Sequence, residues 1–330
     1  MRNLTIFVLV LAALYSGYWF VGSRAVENGA QAAITDLQNQ GWIVEIEDVS
    51  TRGFPSRFDT TATDILLASP GDGFSYRAPF LQAFALSYAP NNVIAAFPNE
   101  QKVRLGLQTI DIASEGLRTS AKVEASTSAE LEDLTIESGP IQLSSDFGWD
   151  TGASKLISAV RQTSGMENTY DVYFDVDELQ LPEAINQMVG SEAGLPTSFG
   201  TIELDLRAQL DKPLDRFVAE QNAEPPRPET IELRRLTANW GDATIEGRGD
   251  LEIGADGTPE GRITVNVRSW DKLIGALVSL GLIQEGIAPT VQNVADTMAQ
   301  GGDTLTVPIS FQNGFMSVGP LPLGPAPKFF

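Results

Sequence analysis

The sequence offers few residues that could carry out covalent chemistry. Its 330 residues include no histidine and no cysteine. The chain therefore has no thiolate nucleophile, no imidazole base for a Ser-His-Asp or Cys-His arrangement, and no histidine ligand for zinc. What remains is carboxylate chemistry, a Ser-Lys pair, or a cation bound by oxygen ligands.

The densest group of carboxylates is Asp171, Asp175, Asp177 and Glu178. The first three fall on one face of a predicted strand, and no glycine occurs where an EF-hand loop would need it. We therefore interpret them as a solvated strand face. The remaining enzymatic hypothesis, a carboxylate-based hydrolase of envelope glycans, requires two carboxylates about 5 to 9 Å apart in a cleft.

Two other stretches match known motifs only in part. Ser154 and Lys155 are adjacent and lack the spacing of a Ser-Lys hydrolase. The Gly-Arg-Gly run at 247–249 does not open a helix in a βαβ unit, so it does not indicate a nucleotide site. We predict no catalytic residue, no metal site and no cofactor, and hence that the protein is not an enzyme.

Residues 4–21 form an uncharged apolar run on which the organisation of the chain depends. Its length of about 18 residues is near the lower limit for a helix that spans a bilayer. Tyr18 and Trp19 lie near its second end, where aromatic rings settle at the lipid–water boundary. We predict a membrane anchor formed mainly by Leu4, Phe7, Leu11, Leu14, Tyr18, Trp19 and Phe20.

A cleaved export signal is the alternative interpretation of the same run. Bulky Tyr18, Trp19 and Phe20 suit a cleavage site poorly, although residues 21–25 contain a weak small-residue pattern. In either case the bulk of the chain is exported, because Arg2 keeps the amino-terminal tip in the cytoplasm. We predict a single-pass membrane protein with its bulk outside the cytoplasm.

The charge balance restricts the partners. With 22 Lys+Arg and 43 Asp+Glu, the formal net charge is −21. Nucleic-acid binding needs a basic surface, so we exclude it. Repulsion also argues against the body lying flat on anionic lipid. Without cysteine, no disulfide stabilises the exported part, which must depend on its apolar core.

Beyond residue 41 the sequence consists mainly of short runs in which apolar and polar residues alternate, as in half-buried strands. Asp256-Gly257 and Asn313-Gly314 predict hairpin turns. Helical spacing occurs at 25–40, 181–189 and 270–280, and we expect a short helix at 152–163. The predicted fold is β-rich (all-β to α+β): an N-terminal transmembrane helix followed by extended, curved, mainly antiparallel sheets with a few short helices.

The proline-rich stretch at 223–228 suggests a division of the body. The predicted regions are a cytoplasmic tip and anchor at 1–24, a juxtamembrane helix at 25–41, an N-terminal β-rich region at 42–222, and a C-terminal β-rich region at 223–330. The two β-rich regions can form one continuous sheet.

Two groups of residues are candidates for lipid contact. Aromatic side chains could line an acyl-chain groove or simply form core; they are Phe74, Tyr76, Phe80, Phe84 and Tyr88. The corner formed by Arg52, Phe54, Pro55 and Arg57 could hold a headgroup phosphate. In the alternative interpretation it is a structural turn in which Arg57 pairs with a nearby carboxylate.

Three stretches together resemble an alphaproteobacterial family, domain of unknown function twenty-one twenty-five. They are residues 16–20, residues 41–42 leading to Gly-Phe-Pro-Ser-Arg-Phe at 53–58, and residues 78–80 leading to 86–91. Residues 240–261 are more distantly similar to AsmA-like and TamB-like envelope proteins. That likeness implies a membrane-anchored periplasmic protein with long curved sheets, of a kind implicated in phospholipid transport and outer-membrane integrity; it supplies no active-site residues.

With the place that this resemblance implies, our leading hypothesis is that a single-pass inner-membrane anchor holds a periplasmic β-rich body, whose curved sheet binds or handles phospholipid or another apolar envelope component. The alternative is a structural or scaffolding protein that binds envelope proteins through an exposed sheet edge.

Overall fold

The computed structural model describes residues 1–71, 73–189, 194–219, 224–318 and 321–330. In these ranges the helices are α1 (Arg2–Asn39), α2 (Glu183–Val189), α3 (Trp270–Ser279) and α4 (Ala288–Ala299). The strands are β1 (Ile43–Glu45), β2 (Asp48–Arg52), β3 (Arg57–Ala68), β4 (Phe74–Leu86), β5 (Ala89–Ala96), β6 (Glu100–Leu105), β7 (Gln108–Ser114), β8 (Arg118–Val123), β9 (Leu131–Ser138), β10 (Ile141–Ser145), β11 (Asp150–Ala153), β12 (Lys155–Gln162), β13 (Thr169–Asp177), β14 (Thr201–Leu210), β15 (Pro228–Trp240), β16 (Ala243–Ile253), β17 (Pro259–Arg268), β18 (Thr304–Gln312), β19 (Phe315–Val318) and β20 (Leu321–Pro325). About half of the chain is strand in antiparallel sheet, which confirms the predicted fold class.

The chain divides into two compact units. Unit 1 comprises Met1–Ala125 and Ile136–Gly148, and unit 2 comprises Ser126–Thr135 and Trp149–Phe330. Strand β9 contributes residues to both. The boundary predicted between 222 and 223 lies outside the described residues.

Unit 1 is built around β3 and β4, which pair along almost their whole length. β3 also pairs with β1 and β2. β4 pairs with β6 through residues 74–77 and with β5 through residues 82–86. Pro79 lies in the gap between these two pairings, where its missing N–H costs no ladder hydrogen bond. The sheet branches there, and pairs β5–β8, β6–β7 and β7–β10 extend the two branches.

Unit 2 is a meander in which each strand from β12 to β20 pairs with the next along the chain. Asn313 and Gly314 have φ of 52° and 77° in the β18–β19 connection, as the predicted hairpin turn requires. The helix expected at 152–163 is wrong, because these residues form β11 and β12. Leu156 and Val160 pair with Val176 and Val172, so the two-residue period decides the structure there.

Candidate functional site

The register of the meander gives the sheet of unit 2 one apolar face. Val172 of β13 pairs with Leu206 of β14, which pairs with Leu233 of β15. A second row of paired residues lies beside the first, two residues away on β13 and β14 and three on β15, where the register shifts. It contains Phe174, Leu204, Leu236, Gly247, Val265 and Val307. The apolar face therefore runs without interruption from β13 to β18.

The opposite face of the same strands is charged. Asp171 accepts from Arg207 Nε at 3.0 Å and pairs with Arg234 Nη1 at 3.0 Å, and Arg234 also pairs with Asp205. Burial would raise the pKa of Asp171, but the two guanidinium groups outweigh it and leave that pKa lowered. Each strand thus has one face suited to water and one that is not.

The predicted carboxylate cluster lies at the end of this charged face. Lys155 Nζ lies 2.6 Å from Asp175 Oδ2 and 3.2 Å from Asp177 Oδ2. Hydrogen bonds to Asp175 and Asp177 raise the pKa of Lys155, the opposite of what a Ser-Lys base requires. Asp175 is buried, which corrects the expectation of a wholly solvated face. Among the described residues no group of three or more carboxylates lies close enough to hold a metal ion.

Helices and the carboxyl-terminal tail cover the two ends of the apolar face. At one end, Trp270, Ile274 and Ala295 of α3 and α4 form a buried cluster with Leu305 of β18. A second cluster there joins α2, α3 and β15 through Val189, Ala276 and Trp240. At the other end, Leu251, Ile253 and Phe311 are buried together, with Ala326 of the tail packed against them. Both ends are therefore closed by packing within unit 2.

No described element of unit 2 covers the middle of the apolar face in this way. Its residues are partly exposed and belong to none of the three buried clusters within the described part of the chain; they are Val172, Phe174, Leu204, Leu206, Leu233, Leu236 and Val265. Sequence reasoning missed this surface. One sequence feature pointed to it: apolar and polar residues alternate regularly at 202–208, and the apolar positions pair with apolar positions of the following strand.

Glycines and a bulge shape this part of the sheet. A Cβ at Gly249 would lie 2.1 Å from the Arg262 carbonyl oxygen, and one at Gly261 would lie 2.2 Å from the Asp250 carbonyl oxygen. Gly247 leaves open the space beside Leu236 that a side chain would fill. The register of β15 shifts between Leu233 and Leu236. Bulges and strand glycines bend a sheet. Gly247, Gly249 and the β15 bulge lie beside uncovered Leu233 and Leu236, whereas Gly261 pairs with Leu251 and Phe311 at the covered end.

The five aromatic residues predicted to line a groove are distributed along unit 1. Phe74, Tyr76, Phe80 and Phe84 occupy alternate positions of β4, and Tyr88 lies in the β4–β5 turn. Tyr76 donates to Gln101 Oε1 at 2.8 Å, and the Phe74 ring packs edge-on against Trp42. Because β4 rises about 3.3 Å per residue, the rings are spread along the strand and do not meet at one point.

The predicted Arg corner is the turn between β2 and β3, which contains a cis peptide bond between Phe54 and Pro55. Arg57 Nε pairs with Asp59 Oδ1 at 2.9 Å, and its guanidinium lies over the Phe84 ring. This pairing is the one expected of a structural turn. Headgroup binding at Arg52 and Arg57 stays a prediction.

The predicted anchor is the first half of α1, which continues without a break through the predicted juxtamembrane helix. Leu4, Phe7, Leu11 and Leu14 are exposed, as are Tyr18 and Phe20. A helix of this length and apolarity could anchor the chain in a membrane, and signal sequences have the same properties. Trp19 differs from its neighbours because only 6% of it is exposed.

A contact between α1 and the turn that joins β2 to β3 explains the burial of Trp19. Its Nε1 donates to the Arg57 carbonyl oxygen at 2.7 Å, and its ring meets Phe54 edge-on. One turn further along the helix, Gly22 lies against the Phe58 ring, where a Cβ would be 2.6 Å from Cζ. The aromatic end of the predicted anchor is thus part of the packing of unit 1.

Unit 1 also contains an open cleft of about 600 Å³ beside Pro79. Charges of both signs line it, among them Glu45, Asp64, Arg77, Glu100 and Lys102. A hydrogen bond to Asp64 raises the pKa of nearby Glu47. Such a lining is poorly suited to an acyl chain, and no predicted site residue lies in it.

Comparison with known proteins gives a family but no named relative. No curated protein and no solved structure matches the chain. The likeness to AsmA-like and TamB-like proteins therefore stays a prediction. Residues 19–327 match the bacterial family DUF2125, described as uncharacterized protein conserved in bacteria. The match begins at Trp19, the first residue of α1 that is buried against unit 1, and covers nearly all that follows; the chain belongs to this family.

Proposed function

We propose that this is a membrane-anchored protein of the bacterial envelope that binds phospholipid acyl chains on the apolar face of unit 2. The observation that carries the proposal is the uncovered middle of that face. Several adjacent partly exposed apolar side chains on one surface are uncommon in a protein that works alone in water.

The dimensions of the surface suit an acyl chain. The uncovered residues extend from β13 to β17, which are separated by four inter-strand spacings of about 4.8 Å, or about 19 Å across the sheet. One leaflet contributes about half of a hydrocarbon core of about 30 Å, so an extended acyl chain fits within that distance. The glycines and the β15 bulge favour a bent sheet, and a bend toward the apolar side would shield more of a bound chain from water.

The location we propose is the inner membrane with the body in the periplasm. The support is the apolar first half of α1, the position of Arg2 before it, and an acidic body without cysteine. In this arrangement the charged face of unit 2 is in water and its apolar face takes lipid from the nearby bilayer.

We propose binding rather than catalysis, because the candidate carboxylates and Lys155 hold one another in ion pairs. The scaffolding alternative needs an open sheet edge. The final strand β20 contains Pro322 and Pro325, which cannot donate to an added strand, so that edge does not favour it.

The test is lipid extraction and mass spectrometry of the full chain purified from membranes. Val265→Glu puts a charge on the apolar face, and Thr264→Glu puts the same charge on the opposite face of the same strand, beside Arg248 and Arg262. Of the phospholipid retained in excess of the lipid that surrounds the shared anchor, we expect Val265→Glu to hold at least about tenfold less than Thr264→Glu, since burying a charge costs well over 1.4 kcal/mol. Because both proteins carry the same anchor and its surrounding lipid, equal retention would refute the proposal.

A further inference from the structure

We infer that two turns of unit 1 are immersed in the outer leaflet of the membrane beside α1. They are residues 53–56, between β2 and β3, and residues 87–88, between β4 and β5. This inference depends on the membrane anchoring proposed above, and it adds a second membrane-contacting surface whose ligand is the phospholipid bilayer itself.

The first argument is the length of α1. A hydrocarbon core is about 30 Å thick, and a helix rises about 1.5 Å per residue, so crossing it requires about 20 residues. Counted from Arg2, that length ends near Val21, which is 72% exposed on the side of α1 away from unit 1. Only about 20 Å of helix separates Arg2 from Tyr15, which is the first residue of α1 hydrogen-bonded to a turn. The turns therefore lie beside the last third of the span.

The second argument is the side chains that the turns present. Tyr88 is 70% exposed and Phe54 is 52% exposed, and Leu86 is also exposed at the end of β4. Aromatic rings of this kind are enriched at membrane interfaces, where an apolar ring and a polar tip are both accommodated. The first turn is less acidic than the protein as a whole, since Arg52 and Arg57 flank it and, among the described residues, only Arg57 is paired with a carboxylate, Asp59, in the ion pair described above.

The third argument is how the backbone of the turns is satisfied. Within a bilayer, every polar backbone group needs a partner inside the protein. Ser87 is completely buried. Its carbonyl oxygen accepts from Tyr18 Oη at 2.5 Å, its Oγ bonds Tyr15 Oη at 3.0 Å, and its N–H donates to the Ser56 carbonyl oxygen at 2.9 Å.

Some backbone groups at the first turn are satisfied in the same manner. The Arg57 N–H donates to the Gly53 carbonyl oxygen at 3.0 Å, and the Arg57 carbonyl oxygen accepts from Trp19 Nε1. Three aromatic residues of the apolar helix thus supply hydrogen bonds to turns that water would otherwise satisfy. Water-exposed turns need no such partners, whereas immersed turns do.

The arrangement also requires that α1 remain attached. Cleavage in residues 21–25 would remove Trp19, Tyr18 and Tyr15 and leave Ser87 and the Arg57 carbonyl oxygen without those partners. An uncleaved anchor follows from the inference.

The experiment uses single-cysteine variants, which need no background substitution because the natural chain has no cysteine. The positions are Phe54→Cys and Tyr88→Cys in the turns, Leu11→Cys in the exposed apolar part of α1, and Leu107→Cys as the matched control. Leu107 is an apolar residue in the β6–β7 turn, 90% exposed, at the opposite end of β4 from Tyr88. Each full-length variant is labelled with an environment-sensitive dye in vesicles of phosphatidylethanolamine and phosphatidylglycerol.

We expect dyes at 54 and 88 to be quenched at least about twofold more by shallow spin-labelled phospholipid than the dye at 107, because only the turns lie at acyl-chain depth. Iodide in the water should show the reverse order. If iodide quenches the dyes at 54 and 88 as strongly as the dye at 107, while the dye at 11 is protected from iodide, the turns are not immersed and the inference is wrong. The membrane anchoring by α1 would then still be supported. If position 11 is also open to iodide, the membrane anchoring itself is wrong. Should Phe54→Cys not fold, Tyr88→Cys decides alone.

Discussion

The two units use the same kind of strand but complete its apolar face differently. In unit 1, α1 packs along β1, β2 and β3, with Trp19 and Gly22 in contact with the turn and with Phe58. In the described residues of unit 2, helices and the tail pack over the ends of the sheet, and the middle stays partly exposed. The comparison teaches that a one-sided strand does not by itself indicate a lipid site; what decides is whether another element of the chain covers it.

The largest effect we expect concerns the helix that completes unit 1. Trp19→Ala removes a buried indole and its hydrogen bond, and should lower the free energy of unfolding of unit 1 by about 3 to 5 kcal/mol. The measurement is hydrogen exchange in detergent, with peptides from β3 and β4 losing protection and those from β14 unchanged. Val21→Ala, at an exposed position of the same helix, is the control. Equal effects of the two substitutions would contradict the packing described for α1.

The second effect tests the glycines of unit 2. Gly249→Ala places a Cβ against backbone at a φ of 157°, and should cost about 2 to 4 kcal/mol of unit 2 stability. Gly275→Ala in α3 meets no atom within 4 Å and should stabilise by about 0.5 to 1 kcal/mol. Urea unfolding of the two variants followed by circular dichroism checks the difference. A neutral Gly249→Ala would show that β16 and β17 do not approach as closely as described.

A third, smaller effect concerns the charged face of unit 2, which lies on the opposite side of the sheet from the apolar face proposed to bind lipid. Arg234→Gln removes a partner of Asp171 and Asp205, all about one-third exposed, so we expect a cost of about 1 kcal/mol. The pKa of Asp171 is lowered in the folded chain, so its contribution exists at neutral pH and is lost as the pH falls through that pKa. The variant should therefore lose less stability on acidification than the natural protein. Arg235→Gln removes the ion pair with Glu203, in which the arginine is 61% exposed. It should change both the stability at neutral pH and the loss of stability on acidification by less than Arg234→Gln does.

The smallest effect concerns the tail that covers one end of the apolar face. Hydrogen bonds from Thr258 and Lys328 lower the pKa of Asp256 to about 2. The attachment of the tail through Lys328 Nζ, 3.1 Å from Asp256 Oδ2, should persist above the ordinary carboxyl pKa of 3.8 and weaken as the pH falls toward 2. Lys328→Ala should raise that pKa and increase hydrogen exchange in residues 326–330 at neutral pH. As the control, Lys272→Ala removes the ion pair with Asp242. It should change neither the pKa of Asp256 nor hydrogen exchange in the tail.

The helices and strands could be predicted from the sequence more fully than the tertiary contacts between them. Alternation at 202–208 and the Asn313-Gly314 turn indicated strands and a hairpin that the structure has. The short apolar run at 152–163 was ambiguous, and pairing with β13 made it a strand. The buried state of Trp19 was beyond sequence reasoning, because it depends on turns at 53–56 and 87–88 that are distant in the chain. The uncovered face of unit 2 was equally hidden, since only the register of separate strands places Leu206, Leu233 and Val265 on one surface.

The most direct test of lipid binding by unit 2 is photo-crosslinking in living cells. A benzophenone amino acid replaces Val265 on the apolar face or, as the matched control, Thr264 on the charged face of the same strand. The account predicts that irradiation attaches radiolabelled phospholipid to the protein modified at 265 and little or none to the protein modified at 264. Equal labelling at the two positions, or labelling at neither, would contradict it.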